Sequence, residues 1–364
     1  MPLTQVPSGM LQTTAQYYGF KNRIINGAMT VSQYNGTNSV TLTTGVYFID
    51  RYYTNLNPGS GHTGQQVTTV PNGNFINSVK LTVGTGGTAT AAQQARFVQS
   101  IEGLNIYDLG WGTANAQSIT LSFWVQSSIT GTYPVGFAND SGAACYVGTY
   151  AISTANTWTY VTITVPGPTS GTWITSNNRG IKVAWGLGAG SNYNQAAGSW
   201  SYSGTDQYSV SGAANWIGTS GATFYITGVQ LEAGSTATSF DYRPYGTELA
   251  LCQRYYQYLA GSTATGDQYI ASGMCNTSVQ ARFPYVLPVQ MRVGPGVTFP
   301  SASNFIIYSG GATPAVTALT TAGTSDPRFF AISATVASGL SAGYGAILLG
   351  ENTTSSAIQL SAEL

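Results

Sequence analysis

Short runs of alternating apolar and polar residues recur along this chain of 364 residues, and they constrain its fold more than any other feature. In residues 119–126 every odd-numbered side chain is apolar, from Ile119 to Val125. Residues 158–165 and 180–185 alternate in the same way, and turn pairs such as Asn35-Gly36 separate such runs. Because period-two alternation is typical of half-buried strands, the sequence predicts an all-β fold that begins with a jelly-roll β-sandwich.

One segment departs from the strand pattern. Residues 247–259, TELALCQRYYQYL, predict a helix with Thr247 as its N-cap and Gly261 after its end. Strand-like alternation resumes at residues 268–274, 279–289, 305–308, 329–336, 346–349 and 358–360. We therefore expect four parts: a segment at 1–20 that no sheet includes, a jelly-roll domain at 21–245, a short helical connector at 246–262 and a second, smaller β-sandwich at 263–364.

The charge composition excludes several classes of protein. Only 7% of the residues are charged, and 12 basic side chains balance 12 acidic ones. A chain without a basic excess does not suit a nucleic-acid backbone, and no run of about 18 apolar residues predicts membrane insertion. The first residues, MPLTQVPSGML, do not resemble a secretory signal. With three cysteines at no metal-ligand spacing, we expect free, mostly buried thiols in a protein made in a reducing cytoplasm.

Motifs for catalysis are scarce. The single histidine, His62, lies in a Gly-rich turn, where we expect it to be solvated, and no G-x-S-x-G motif occurs. A glycosidase needs two carboxylates, and a pair among Glu102, Asp108 and Glu232 stays open as an alternative. The expectation is nevertheless a protein that is not an enzyme and has no catalytic residues.

No cofactor is expected, with one alternative. Asp50 and Glu232 are the first candidates for ligands of a structural Ca²⁺, since carboxylates and carbonyls hold that ion. Ion pairs with arginines, such as the neighbouring Arg51, explain these carboxylates equally well.

Aromatic side chains give the stronger signal, with 24 Tyr, 13 Phe and 7 Trp. Sugars stack on such rings and hydrogen-bond to neutral polar groups. The candidates for contact with a glycan or a neighbouring subunit lie in the aperiodic stretch 186–221 or on the polar face of the predicted sheet: Tyr193, Trp200, Tyr202, Tyr208 and Trp216 in the stretch, and Trp124, Trp158 and Tyr160 on the sheet.

We expect the stretch 186–221 to be the main ligand or partner surface of the first domain, because it is longer than a strand connection requires. The alternative is that its rings fold back as a small satellite core. In the strand that follows, the apolar phase slips near Gly228, which predicts a β-bulge.

Three blocks of sequence resemble a known protein family. They are KNRIINGAMTVSQYNG at 21–36, QSIEGLNIYDLGWGTANAQSITLSFWVQSSITGTY at 99–133 and YITGVQLEAGSTATSFDYRPYGTELALCQRYYQYL at 225–259. Together they resemble tail-fibre, neck-fibre and related appendage proteins of tailed phages. The resemblance covers roughly residues 1–260 and implies a jelly roll similar to carbohydrate-binding modules, followed by a smaller β-domain, usually in a homotrimer.

The resemblance implies a non-enzymatic structural virion protein. Such a protein would form a trimeric tail or neck fibre, join other phage virion proteins through its N-terminal segment, and be able to contact host-surface glycans. The alternatives are a glycan depolymerase on the same appendage, a purely structural collar or head fibre, and an ordinary bacterial sugar-binding module.

The trimer also has candidate interface residues in the sequence. Leu251, Tyr255 and Tyr258 form an apolar stripe on the predicted helix, and a helix of about 12 residues needs packing partners. We expect this stripe to lie at the threefold axis, together with apolar residues of the segment 1–20. Packing within one chain is the alternative.

Overall fold

The computed structural model describes residues 20–259, 268–351 and 357–364. The regular secondary structure of these residues consists of antiparallel strands in four sheets, five short 3-10 turns and one α-helix. The predicted all-β fold is thus confirmed. The predicted attachment segment at 1–20 lies outside the described residues, apart from Phe20. No helix within the described ranges has the length and apolar character to cross a membrane.

The N-terminal unit is a sandwich of two sheets. Its strands are β1 (Val40–Thr41), β2 (Val46–Ile49), β3 (Tyr52–Asn57), β4 (Thr63–Val67), β5 (Ser78–Thr82), β6 (Gln94–Glu102), β7 (Ile119–Ser127), β8 (Gly131–Ala138), β9 (Cys145–Ile152), β10 (Thr159–Val165), β11 (Arg179–Ala189), β12 (Trp200–Ser201) and β13 (Thr223–Ala233). The first sheet has the order β1-β4-β5-β13-β7-β10, and the second has the order β12-β9-β8-β11-β6-β3-β2.

The core of this sandwich follows from the alternation in its sequence. On β7, Leu121, Phe123 and Val125 point inward and are fully buried against the rings of the second sheet, such as Trp185. The ring centroids of Phe123 and Trp185 are 5.8 Å apart in an edge-on arrangement, which aromatic pairs prefer. The even-numbered residues of β7 therefore lie on the outer face of the first sheet.

The predicted bulge at Gly228 is confirmed. The register between β13 and β7 shifts between Thr227 and Gln230, and Gly228 has a φ of 62°. A Cβ there would lie 2.6 Å from the Phe75 ring, so only glycine fits. The bulge reverses the phase of β13: Tyr225 faces outward before it, and Gln230 does so after it, while Val229 enters the core.

The C-terminal unit packs a small sheet on a larger one. Its strands are β14 (Tyr256–Leu259), β15 (Gln268–Cys275), β16 (Gln280–Val286), β17 (Gly296–Thr298), β18 (Phe305–Tyr308), β19 (Val316–Thr321), β20 (Phe329–Val336), β21 (Gly345–Gly350) and β22 (Ile358–Ser361). The sheet orders are β14-β22-β17 and β18-β21-β15-β16-β20-β19. Leu259 and Leu360 of the small sheet pack on Phe283 and Leu348 of the large one.

The helix differs from the prediction at both ends. Helix α1 spans Tyr245–Gln253, after Pro244, and lacks a side-chain N-cap. Glu248, in its first turn, instead accepts a hydrogen bond from the backbone N–H of Asn26. Residues 256–259, predicted as helix, form β14 and pair with β22. The prediction was wrong there because the pairing partner lies about a hundred residues further along the chain, which local periodicity cannot reveal.

Buried polar groups join the two sandwiches. Arg51 of the N-terminal unit forms an ion pair with Glu363, and both side chains are almost fully buried. Glu102 accepts hydrogen bonds from the guanidinium of Arg254, at 2.6 and 2.9 Å, and from the hydroxyl of Tyr255, at 2.6 Å. Since unpairing one of these charges would leave the other buried, the contacts fix how the two units meet.

His62 is buried, at 2% exposure, and the prediction of a solvated histidine was wrong. Its Nδ1 accepts a hydrogen bond from the backbone N–H of Gly84 at 3.3 Å, and its Nε2 lies 3.2 Å from the carbonyl oxygen of Pro58. Burial lowers the pKa of the ring, so a neutral imidazole holds two turns together. The three cysteines, Cys145, Cys252 and Cys275, are free and buried, as predicted.

Candidate functional site

The stretch predicted at 186–221 begins inside β11, which continues to Ala189, and the part of it that carries Tyr193 and Tyr208 folds back on the outer face of the second sheet. The ring of Tyr208 is buried there among Tyr53, Val98 and Ala184. Arg96 lies over this ring, with its guanidinium carbon 4.7 Å from the ring centroid. The prediction that Tyr208 contacts a ligand was therefore wrong, because the ring is 1% exposed.

Asp206, the one charged residue of this stretch, anchors it to the sheet. Its Oδ2 accepts hydrogen bonds from Arg96 at 2.8 Å and from Lys182 at 2.5 Å. Burial raises the pKa of Asp206, but the two cations outweigh this effect, and the net pKa is lowered. The carboxylate of Asp206 is therefore paired with cations of the same chain.

The two tryptophans of the stretch also pack inward. Trp216 is 0% exposed in the main core, so its prediction as a ligand contact was wrong. Trp200 is half-buried and closes one end of the sandwich, 5.5 Å from both Trp111 and Trp173 between ring centroids. Its Nε1 donates to the carbonyl of Pro166 at 2.7 Å. Both rings therefore belong to the main core, and the alternative of a separate small satellite core was also wrong for them.

Two of the predicted tyrosines remain nearer the surface. Tyr193 is half-buried against Tyr208, and its hydroxyl donates to the carbonyl of Ala92. Tyr202 is 49% exposed. A shallow groove of about 450 Å³ runs beside the stretch, but its lining is aliphatic and polar rather than aromatic: Thr149, Asn194, Gln195, Ala196, Ala197, Val210 and Ser211. The stretch therefore does not bring its rings together at one binding surface.

The outer face of the first sheet does collect aromatic rings. Trp124 on β7 and Tyr160 on β10 are directly opposite each other, with ring centroids 5.1 Å apart. Trp158, just before β10, packs against Tyr225 of β13, with ring centroids 6.2 Å apart. Tyr160 is 46% exposed and the other three rings are half-buried, so parts of all four reach solvent. We call these four residues the aromatic platform.

Neutral polar side chains surround the platform. Gln126 is opposite Tyr225, and Gln65 on β4 lies two strands further along the same row. Thr162 follows on the exposed side of β10. The platform is built on paired strands whose other face is the core, and this backing holds the rings rigidly. Flat rings beside amide and hydroxyl groups are the arrangement on which a sugar ring stacks.

Trp124, Trp158 and Tyr160 were expected on this face from the sequence, whereas Tyr225 was not. Side chains alternate along 223–227, so Tyr225 points to the outer face while its neighbours Phe224 and Ile226 point into the core. That signal could have identified Tyr225. Its neighbour Lys80 was not expected on this face from the sequence either. The ammonium Nζ of Lys80 lies 5.8 Å from the centroid of the Tyr225 ring.

Two of the three predicted trimer contacts pack within the chain. Tyr255 is fully buried, and its ring lies 3.5 Å below the guanidinium carbon of Arg51. The prediction that it faces a threefold axis was wrong. Leu251 is half-buried against a small cluster that includes Ile25 and Val31. Tyr258 is 38% exposed and remains free for an external contact.

The carboxylates proposed for metal binding or catalysis have protein partners. Asp50 accepts hydrogen bonds from the backbone and side chain of Gln33, and Glu232 accepts from Gln230 and Thr238. Asp108 forms an ion pair with Arg23 at 2.5 Å. Across the described ranges, no three His, Cys, Asp or Glu side chains are grouped as metal ligands would be.

Comparisons with known proteins add remote structural similarities. No family model matches the chain, and no curated protein matches its sequence. The enzymatically active domain of bacteriophage CBA120 tailspike protein 4 is 16% identical over 58% of this chain, with a TM-score of 0.33, and the match spans 21% of that protein. A CBM4 structure is 15% identical over 57% of this chain and 97% of its own, with a TM-score of 0.28.

A family 11 carbohydrate-binding module from a Clostridium thermocellum cellulase is 13% identical over 56% of this chain and 96% of its own, with a TM-score of 0.27. Similarities this remote do not indicate a function. The sandwich architecture follows from the strand pairing of the chain itself.

Proposed function

We propose that this protein is a non-enzymatic phage appendage protein that binds glycans through the aromatic platform of its N-terminal sandwich. The observation that carries the proposal is the group of four partly exposed rings, Trp124, Trp158, Tyr160 and Tyr225, on the outer face of one rigid sheet. Packing across the strands accounts for part of each ring, and the part that is left in water forms an exposed aromatic surface on which a sugar can stack.

The phage assignment rests on sequence. The blocks at 21–36, 99–133 and 225–259 occur in the order typical of tail-fibre and neck-fibre proteins. The low charge of 7% suits a protein whose surface contacts sister chains and water through neutral groups. On this proposal the chain is part of the virion and its segment 1–20 contacts other virion proteins.

The homotrimer is part of the same proposal, with a different surface from the one expected. The outer face of the large C-terminal sheet exposes Tyr269, Met274, Val286 and Phe329. Val286 is directly opposite Phe329, and Met274 is opposite Arg282. Exposed large apolar side chains on one sheet face are typical of a subunit interface, and association would bury them.

A depolymerase is the alternative enzyme function. The engagement of Asp108 with Arg23 and of Glu102 with Arg254 argues for structural roles of these carboxylates. An acid of a glycosidase must instead face a sugar-sized cleft with its partner carboxylate.

The test is a pair of assays on one preparation. The purified chain is applied to an array of bacterial surface glycans, and every bound glycan is then incubated with the protein and assayed for new reducing ends. Binding without new reducing ends is the expected result. Release of oligosaccharides would show an enzyme, and binding to none of the glycans would contradict the glycan-binding function.

A further inference from the structure

Lys80 extends the aromatic row with a positive charge. It lies on β5 directly opposite Tyr225 of β13, and Gln65 of β4 is its neighbour on the other side. Its ammonium Nζ reaches over the Tyr225 ring, 5.8 Å from the centroid. From Lys80 to Trp158 the row crosses three strand spacings of about 4.8 Å, or roughly 14 Å, which is the length of a short oligosaccharide.

The charge of Lys80 is unpaired in the part of the chain that the structure describes. Its Nζ forms no ion pair or hydrogen bond there, and it makes a cation-π contact with the Tyr225 ring. The two other lysines are used differently: Lys182 is paired with Asp206, and Lys21 donates to Thr238 and Ser239. In a chain with only 12 basic residues, an unpaired cation beside the platform is a specific feature.

We propose that the platform binds acidic glycans, with Lys80 pairing with the carboxylate of a uronic acid residue while the adjacent sugar rings stack on Tyr225 and Trp158. This inference rests on the proposed glycan-binding function and names the class of its ligand. Lys80 is half-buried beside the Tyr225 ring, where an ion pair is less screened than in open water.

The local chemistry favours a carboxylate over a phosphate. A phosphate monoester carries nearly two negative charges and is bound by several donors, commonly an arginine fork or a helix N-terminus. The row instead offers one ammonium, with the neutral amide of Gln65 on one side and that of Gln126 beyond Tyr225 on the other. One cation with neutral hydrogen-bonding neighbours suits a singly charged uronate.

The experiment compares matched ligands and matched variants. Oligosaccharides of galacturonic acid, of guluronic and mannuronic acid, and of hyaluronan are immobilised beside their carboxyl-reduced forms, which have the same linkage and length but no charge. The wild type, Lys80→Gln and Lys80→Arg are each titrated on both sets. Lys80→Gln keeps most of the side-chain length over Tyr225, and Lys80→Arg keeps the charge.

The expected result is that the wild type binds at least one acidic oligosaccharide about three- to tenfold more tightly than its reduced form. Lys80→Gln should remove this preference without weakening the binding of the carboxyl-reduced oligosaccharides. Lys80→Arg should retain the preference, and added salt should reduce it. An acidic preference that survives in Lys80→Gln, or equal binding of both forms by the wild type, would overturn the role of Lys80 and leave glycan binding intact. Binding of neither set, to any variant, would overturn the acidic-glycan inference, whereas the glycan-binding function itself fails only if the glycan array also shows no binding.

Discussion

Trp124 and Tyr160 occupy directly opposite positions on β7 and β10, and their ring centroids are 5.1 Å apart on the outer face of the first sheet. Cross-strand aromatic pairs stabilise a sheet by up to about 1 kcal/mol, yet Tyr160 leaves 46% of its surface in solvent. The pair is therefore placed to serve both the sheet and a ligand. The pair is rigid because the adjacent residues Phe123 and Val161 of the same two strands are packed in the core.

Trp216 provides a test of the packing role assigned to the long stretch. It is fully buried beside Phe224, at 6.4 Å between ring centroids. We expect Trp216→Ala to lower the free energy of unfolding by about 3–5 kcal/mol, because it leaves a large cavity. Trp216→Phe should cost less, since the indole Nε1 has no hydrogen-bond partner to lose. Urea titrations of both variants measure these differences.

The same two variants separate packing from binding. Where the variants are fully folded, glycan binding should equal that of the wild type. Weakened binding by folded Trp216→Phe, with unchanged stability, would show that the stretch belongs to the ligand site after all.

Asp50 predicts a pH dependence of stability. Burial raises its pKa to about 6 from an ordinary value of 3.8, against the opposing hydrogen bonds from Gln33. The folded protein thus holds a proton on Asp50 at pH values where the unfolded chain has released it. The unfolded state binds fewer protons in this window, so stability falls as the pH rises from about 4 to 6.

The variant Asp50→Asn removes this proton exchange and keeps an acceptor oxygen for Gln33. Relative to this variant, the wild type should lose about 2 kcal/mol of unfolding free energy between pH 4 and pH 7. Glu363 extends the window upward, because burial raises its pKa to about 7 despite the ion pair with Arg51. Denaturant titrations at several pH values give both curves, and parallel curves would refute the assignment to Asp50.

The trimer makes a prediction about mass. Sedimentation equilibrium should give three times the 38.0 kDa of one chain. The double variant Tyr269→Lys and Phe329→Lys places charges on the apolar outer face of the C-terminal sheet and should shift the mass toward one chain. Tyr107→Lys, at an exposed tyrosine of the N-terminal unit, is the matched control and should remain trimeric. A wild-type mass of one chain would exclude the trimer.

Local alternation made much of this fold predictable. The run that ends at Val125 fixed both the strand and its inward face, and the phase slip at Gly228 located a bulge. Such signals are encoded within a few residues, so a single sequence carries them. Strand β14 was missed because Tyr256 pairs with Ser361, and no local pattern records a partner that far away.

The candidate site was only partly predictable for the same reason. The sequence shows that Tyr208 and Trp124 are both aromatic residues among polar neighbours, but not that Arg96 and Asp206 hold the stretch around Tyr208 against the sheet. Trp124 stays accessible because its strand is rigid and its outer neighbours are small or neutral. Which rings remain in solvent depends on long-range packing, and that is visible only in three dimensions.

The most direct test of the account is glycan binding by the double variant Trp124→Ala and Trp158→Ala, measured beside the wild type and Tyr107→Ala on the same glycan array. Each stacking contact contributes on the order of 1 kcal/mol, so the double variant should bind at least tenfold more weakly while its circular dichroism spectrum stays that of the wild type. Tyr107→Ala should bind as the wild type does. Unchanged binding by a folded double variant would contradict the assignment of the aromatic platform as the glycan site.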